Sequence, residues 1–273
     1  MSIDRYAVVG NPVSHSRSPE IHMAFAEQTG ESLLYERIEA PLDGFIATVE
    51  AFLENGGRGL NVTVPFKGAA AAWVDRLDPG AALAAAVNTI VEDPTGGYVG
   101  YNTDGPGLVM DLNRLLPGRS RLKVLLLGAG GAARGVVAPL LEGLAGVLTI
   151  ANRTEEKAAG LVATLHGAGY REVRSAGFAD PGGGYDLVVN ATSAGLSGGV
   201  PDIPEDTVRG AFCYDMVYGG ETAFTRWAKS AGSAGTADGL GMLVGQAALS
   251  FQLWRGVLPD VEPVLKMLKE ATA

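Results

Sequence analysis

The chain has 273 residues, 47% hydrophobic and 19% charged, with 21 basic and 30 acidic side chains and a net charge of −9. This composition excludes a disordered chain, and an acidic balance without a basic run excludes gripping nucleic acid or an anionic membrane by bulk charge. The lone Cys213 excludes an internal disulfide. With no bilayer-length apolar segment and no signal-peptide pattern at the N-terminus, a soluble protein of the reducing cytoplasm is expected.

In chain order, RYAVVG reads as a strand and SPEIHMAFAEQTG as a helix, with Ser18 as its cap, Pro19 at its first position and Gly30 at its end. LLYERIEA is the next strand, DGFIATVEAFLENGG the next helix, and GLNVTVP a strand stopped by Pro65. NTIVED and GYVGYNTD pair as a hairpin around Pro94–Gly97. After the turn-rich LLPGRSRLK a second series opens. KVLLLG, VLTIANR, DLVVNAT and CYDMVY are near-continuous apolar runs, as parallel strands covered on both faces require. Helical stretches lie between them, so the fold class is α/β with right-handed βαβ connections. Pro139 lies inside the first of these helices and predicts a local kink, because its ring displaces the bond to the Gly135 carbonyl. Cys213, within AFCYDMVY, reads as a buried core thiol.

VLLLGAGGAAR fits Gly-x-Gly-x-x-Ala between a strand and a helix, with Gly128, Gly130 and Ala133 at the marked positions. Gly128 suits a tight turn and Gly130 the close approach of a pyrophosphate, while the helix start offers its amides. The competing reading is a βα turn with no ligand. The end of the second strand, TIANRTEEK, decides between nucleotides. A carboxylate there would accept bonds from a ribose 2′-hydroxyl; Asn152, Arg153 and Thr154 stand there instead. A guanidinium can fork onto a 2′-phosphate or stack on adenine. Thr154 can donate to the same group or cap the next helix, and Lys157 adds charge one turn on. With the glycines upstream, these residues favour NADP over NAD.

Further motifs run the length of the chain: GNPVSHSRSP (10–19), NVTVPFK (61–67), AVNT (86–89), GYNTDG (100–105), GAGGAAR (128–134), NRT (152–154), NATSAG (190–195), DMVY (215–218) and DGLGMLVGQAALSFQLWRG (238–256). In kind and order they resemble the shikimate dehydrogenase family. The resemblance implies an N-terminal α/β substrate domain, a Rossmann-type parallel-sheet NADP domain and C-terminal helices that return to the first domain. The expected spans are 1–104 with 240–273 for the substrate and 105–239 for NADP. The implied reaction is reversible, NADPH-dependent reduction of 3-dehydroshikimate to shikimate in aromatic amino-acid biosynthesis.

The same resemblance assigns roles. Lys67, at the end of the strand NVTVPFK, matches the catalytic lysine, which gives a proton to the developing alkoxide and takes it back in oxidation. Asp104 matches the second catalytic residue, orienting Lys67 and accepting from a substrate hydroxyl. Outside the motif, Lys67 would read as a surface lysine opening a helix and Asp104 as a helix cap. Ser14 and Ser16 match binders of the substrate carboxylate. Asn61, Thr63, Asn88 and Gln246 match residues that hold ring hydroxyls, and Tyr218 one that closes the site. Gly128, Ala129, Gly130, Gly131, Ala132 and Ala133 form the pyrophosphate loop. Asn190, Thr192, Ser193, Met216, Val217, Gly239 and Met242 match the nicotinamide side. His15, His22 and His166 are too few and scattered to imply a metal. The expected partner is a small molecule, with a homodimer left open. Ala85, Pro106 and Ala223 depart from the family pattern at loops rather than at chemical groups. The enzyme alternative is a quinate or dual quinate/shikimate dehydrogenase. The alternative of another class is a nicotinamide-binding regulator without catalysis, against which the presence of both Lys67 and Asp104 argues.

Overall fold

The computed structural model describes residues 3–271, apart from the side chains of 196 and 197. Residues 1, 2, 272 and 273, at the ends of the expected substrate domain, lie outside the described residues. The chain divides into two compact units: one runs through Gly107 and resumes at Val244, and the other is Leu108–Leu243.

The first unit contains β1 (Asp4–Gly10), α1 (Ser18–Thr29), β2 (Leu33–Glu39), α2 (Phe45–Glu54), β3 (Gly57–Val62), α3 (Lys67–Trp73), β4 (Arg76–Leu77), α4 (Pro79–Ala84), β5 (Thr89–Glu92) and β6 (Tyr98–Tyr101). Its sheet runs β2-β1-β3-β5-β6-β4. β1 pairs parallel with β2 and β3, while β3–β5 and β5–β6 are antiparallel, the latter closing the expected hairpin. Ala7, Val9, Leu60, Val62 and Ile90 meet Phe45, Val49 and Phe52 of α2 in the core. Burying each large side chain contributes about 1.5–3 kcal/mol. β2 lies at the sheet edge and alternates, with Leu33 and Tyr35 buried but Leu34 exposed.

The boundary between the units falls within α5 (Asp104–Leu115) and α9 (Leu240–Arg255). Gly107 of α5 and Gly245 of α9 meet backbone to backbone. A Cβ at 107 would lie 2.5 Å from the Gln246 nitrogen, and one at 245 would lie 2.9 Å from the Gly107 oxygen. α10 (Val261–Glu270) completes the first unit, where the Asp260 amide donates to Gln28 Oε1 at 2.7 Å on α1.

The second unit contains β7 (Leu122–Leu127), α6 (Gly131–Gly143), β8 (Ala145–Asn152), α7 (Glu155–Gly167), β9 (Val173–Gly177), β10 (Leu187–Asn190), β11 (Phe212–Asp215), α8 (Ala223–Ser230) and β12 (Gly235–Ala237). Its sheet is parallel throughout, in the order β12-β11-β10-β7-β8-β9. The winding reverses between β7 and β10, so a crevice opens at the carboxyl ends of these strands. Leu125, Leu127, Val188, Cys213 and Phe224 fill the core, and burial pushes the Cys213 thiol up to about 12.

Several local expectations change. Ser18 is the first residue of α1 rather than its cap; its amide instead donates to Ser16 Oγ at 3.3 Å. The preceding turn, closed by Ser16 N–H to the Val13 oxygen at 3.0 Å, puts the Ser16 hydroxyl within reach of that amide. Lys67 does not end a strand. β3 stops at Val62, the chain turns through Thr63–Phe66, and Lys67 opens α3. Asp104 opens α5 rather than capping it, and Asn102 Oδ1 takes its amide at 3.1 Å. Thr154 occupies the cap position of α7 without a side-chain bond. Pro139 lies inside α6, which runs to Gly143, as the sequence places it. Ala85 adopts φ +51, the left-handed conformation that glycine enters most easily.

Candidate active site

In the first unit the β3–α3 turn, β5 and the starts of α3 and α5 bring charged and amide groups together. Lys67 Nζ donates to Asp104 Oδ2 at 2.6 Å, and Asn88 Nδ2 donates to Asp104 Oδ1 at 2.9 Å. Asn88 Nδ2 also lies 2.9 Å from Thr103 Oγ1 and 3.3 Å from Gln246 Oε1. The Thr103 amide donates back to Asn88 Oδ1 at 2.8 Å, fixing the orientation of the Asn88 amide. The Lys67 and Asp104 side chains remain 30% and 19% exposed, so a small molecule can reach them. Such a pair can hold a proton donor at one direction in space, which is the requirement for acid–base work on a carbonyl.

The other expected substrate residues divide by how far the protein already uses them. Ser14 is exposed, and neither it nor the Thr63 hydroxyl has a hydrogen-bond partner among the described residues. Ser16 Oγ donates to Ser18 Oγ at 3.1 Å. Asn61 is committed inward instead. Its Nδ2 reaches the Asn88 oxygen, Thr89 Oγ1 and Ser250 Oγ at 3.0–3.1 Å, and its Oδ1 accepts from the Tyr35 hydroxyl at 2.7 Å. These bonds fix the orientation of the buried Asn61 amide between β3, β5 and α9. Tyr218 belongs to the second unit and is 37% exposed.

Asn102, Thr103 and Ser250 lie within the motifs without a role assigned to them, and Tyr35 lies outside them. Ser250 lies one helical turn after Gln246, and its Oγ meets Thr89 Oγ1 at 2.8 Å and Thr103 Oγ1 at 3.2 Å. That i, i+4 pair of polar residues on one face of α9 was the available signal. His22 stacks on Tyr35 with ring centroids 4.2 Å apart, and neither of its ring nitrogens forms a hydrogen bond. Burial pushes its pKa down to about 3. Among the described residues no group of three or more His, Cys, Asp or Glu side chains is arranged for a metal.

In the second unit Gly128–Gly131 links β7 to α6. Gly128 has φ +109, and a Cβ there would lie 3.0 Å from the Ala191 oxygen across the switch point. Gly130 caps α6 without a side chain, so the first-turn amides are left to a ligand, and open space surrounds the Cβ positions of Gly130 and Gly131. Ala129 and Ala133 are buried, whereas Ala132 is exposed. At the end of β8, Asn152 Nδ2 braces the turn by donating to the Thr154 oxygen at 2.8 Å. Arg153 and Lys157 are exposed and have no side-chain partner among the described residues. Uncapped amides at one point and unpaired cations at the next strand end fit a dinucleotide that carries an additional phosphate.

Across the switch point, Asn190 is used internally. Its Oδ1 accepts from Thr192 Oγ1 at 2.7 Å, and its Nδ2 donates to Asp215 Oδ1 at 3.1 Å. Ser193 is exposed, and Met216 and Val217 are half-buried. The Gly239 amide donates to the Val217 oxygen at 3.0 Å. The Met242 amide donates to the Tyr214 hydroxyl at 3.2 Å, which donates to Asp111 Oδ2 at 2.8 Å. Asp215, Thr222 and Asp238 are further polar residues of this region that the motifs did not single out.

Family models match in chain order. The Shikimate dehydrogenase substrate binding domain covers residues 8–90, Shikimate / quinate 5-dehydrogenase covers 112–197, and the Shikimate 5'-dehydrogenase C-terminal domain covers 239–269. A relative named Shikimate dehydrogenase (NADP(+)), from Shewanella halifaxensis, is 53% identical over 97% of this chain and 95% of its own length. The crystal structure of an Ael1 enzyme from Pseudomonas putida superposes with a TM-score of 0.92 at 43% identity, covering 97% of this chain and 98% of that one. Shikimate 5-dehydrogenase from Thermus thermophilus, in complex with NADP(H) and shikimate, gives a TM-score of 0.85 at 34% identity, covering 98% of this chain and 100% of that one. With these matches spanning both units, the chain belongs to the shikimate dehydrogenase family.

Proposed function

We propose that this chain interconverts 3-dehydroshikimate and shikimate with NADP, using Lys67 and Asp104 as its acid–base pair. The relatives' names and the complex with NADP(H) and shikimate support the substrate and cofactor. The observation that carries the residue assignment is the 2.6 Å contact between Lys67 Nζ and Asp104 Oδ2, held from behind by Asn88.

The cofactor, when bound, supplies or removes hydride. The Lys67 ammonium donates its proton to the substrate carbonyl oxygen as negative charge develops there, and recovers it in oxidation. Asp104 keeps Nζ aimed through Oδ2 and is itself fixed through Oδ1. Ser14 and Ser16 bind the substrate carboxylate. Thr63, Asn88 and Gln246 meet the ring hydroxyls. Asn61 joins them, with its amide held in orientation by Tyr35, Thr89 and Ser250. Tyr218 is a further substrate-binding residue near the carboxylate. On the cofactor side, Gly128–Ala133 receive the pyrophosphate, while Arg153, Thr154 and Lys157 receive the 2′-phosphate, with Asn152 bracing their turn. Asn190, Thr192, Ser193, Met216, Val217, Gly239 and Met242 line the nicotinamide half. A reducing, cytoplasmic setting belongs to the same proposal and is supported by the single, buried Cys213.

The test is absorbance at the nicotinamide band when shikimate and NADP are mixed with the protein. Parallel reactions with quinate and with NAD address the second reading, which the shikimate/quinate description of one family model keeps in view. Quinate carries an additional hydroxyl beside its carboxylate. A higher kcat/KM for quinate than for shikimate would overturn the substrate assignment, and a higher kcat/KM with NAD than with NADP the cofactor assignment.

A further inference from the structure

Asp215 is a buried acid for which neither the fold nor the proposed mechanism requires a charge. It ends β11, directly beside Asn190 of β10 in the parallel register, and none of its surface is exposed. Its Oδ1 accepts from Asn190 Nδ2 at 3.1 Å and from the Val217 amide at 3.2 Å, and its Oδ2 accepts from Thr222 Oγ1 at 2.6 Å. All three are neutral donors, and no cation pairs with it among the described residues. Burying a carboxylate without a counter-ion is costly, and three donors offset only part of that cost. An asparagine could keep all three contacts at lower cost, because the Thr222 hydroxyl can turn to accept. The nearby acid Asp238 has the same sign, and its Oδ2 is occupied by the amides of Gly219 and Gly220 at 3.1 and 2.9 Å. Burial and Asp238 push the Asp215 carboxyl above its ordinary value, while the three donors hold it down.

The missing counter-ion has a natural source. Met216 and Val217, the next residues in the chain, are assigned above to the nicotinamide half of the cofactor, and this inference rests on that reading. The nicotinamide ring is cationic when oxidised and neutral when reduced. We propose that Asp215 is the charge that makes this site hold NADP⁺ more tightly, relative to NADPH, than a neutral residue would. A unit charge in a site of effective dielectric near 20 shifts such a ratio by about tenfold at a separation of about 12 Å, and by more at shorter ones.

The experiment measures Kd for NADP⁺ and for NADPH by calorimetry on the full-length protein and on Asp215→Asn, with no substrate and no turnover. In the variant the ratio Kd(NADP⁺)/Kd(NADPH) is expected to rise about tenfold. An unchanged ratio, with both forms weakened together, would make Asp215 a loop brace only and overturn the proposal. If neither form binds the unmodified protein, the NADP reading fails instead, a separate result. Should Asp215→Asn not fold, Asp215→Ser removes the charge and keeps a hydroxyl at the same place. The ratio then rises as in the asparagine variant, and an unchanged ratio overturns the proposal.

Discussion

Asn88 in the first unit reaches Thr103, Asp104 and Gln246 through its side chain, whereas Arg153 in the second reaches no hydrogen-bonding or ionic partner among the described residues. The contrast extends to their surroundings. Around Asn88 the amides and hydroxyls of Asn61, Thr89, Thr103 and Ser250 satisfy one another. Around Gly130 the amides of a helix start have no side-chain cap. A group that must deliver a proton to one atom needs its direction fixed in advance, so the protein fills its hydrogen-bonding capacity. A group that must hold a phosphate gains most by leaving its capacity to the ligand.

The largest expected effect breaks the fixed pair. Lys67→Ala should lower kcat by about a hundredfold to ten-thousandfold while shikimate binding changes little. Steady-state rates with equilibrium titration of shikimate check this, and an unchanged kcat removes Lys67 from the mechanism. Next, Arg153→Ala should raise KM for NADP by about tenfold to a hundredfold, because a charge-assisted contact contributes about 1.5–3 kcal/mol. The KM for NAD should hardly move; equal effects on both cofactors would mean that Arg153 does not meet the 2′-phosphate. Third, Ser250→Ala strands buried partners in the first unit and should cost about 1–3 kcal/mol in urea unfolding. No comparable loss is expected from Lys157→Ala, which removes no contact; matching losses would erase the contrast between the units.

The smallest effect concerns pH. The folded-state pKa of His22 lies at about 3, below the 6.5 of the unfolded chain. Between those values the unfolded chain binds a proton that the folded one refuses. Stability is therefore fully present above about pH 6.5 and falls with acidification by about 1.4 kcal/mol per pH unit from this group. Urea midpoints at pH 6 and 5 should show that slope, and His22→Phe should remove one proton's share of it. An equal slope in the variant would assign the proton elsewhere.

Which parts of this were legible in the sequence follows from burial. β7, β10 and β11 are covered on both faces and read as apolar runs. β9 and β12 stand at the two edges of their sheet, where VRSAG and GTA bury little and show no period, so they passed unnoticed. The two-residue β4 was too short to signal itself. The motifs named Lys67 and Asp104, yet local reading put one at a strand end and gave the other a capping role. Both errors have one source: the neighbouring turn, through Thr63–Phe66 and through Asn102, takes up the backbone groups first. Ser250 and Tyr35 stayed hidden because a serine in an apolar helix and a tyrosine in an alternating strand acquire meaning only when the chain brings Asn61 between them.

The crossing of Gly107 and Gly245 carries a lesson for anyone wishing to alter what this protein accepts. Neither position tolerates even a methyl group without moving a backbone, and that crossing sets the helix from which Gln246 reaches Asn88. Variation introduced there would be discarded as misfolded before its selectivity could be sampled. Thr63 and Ser14, whose hydroxyls carry no structural duty, are where a library can change specificity and still yield folded protein.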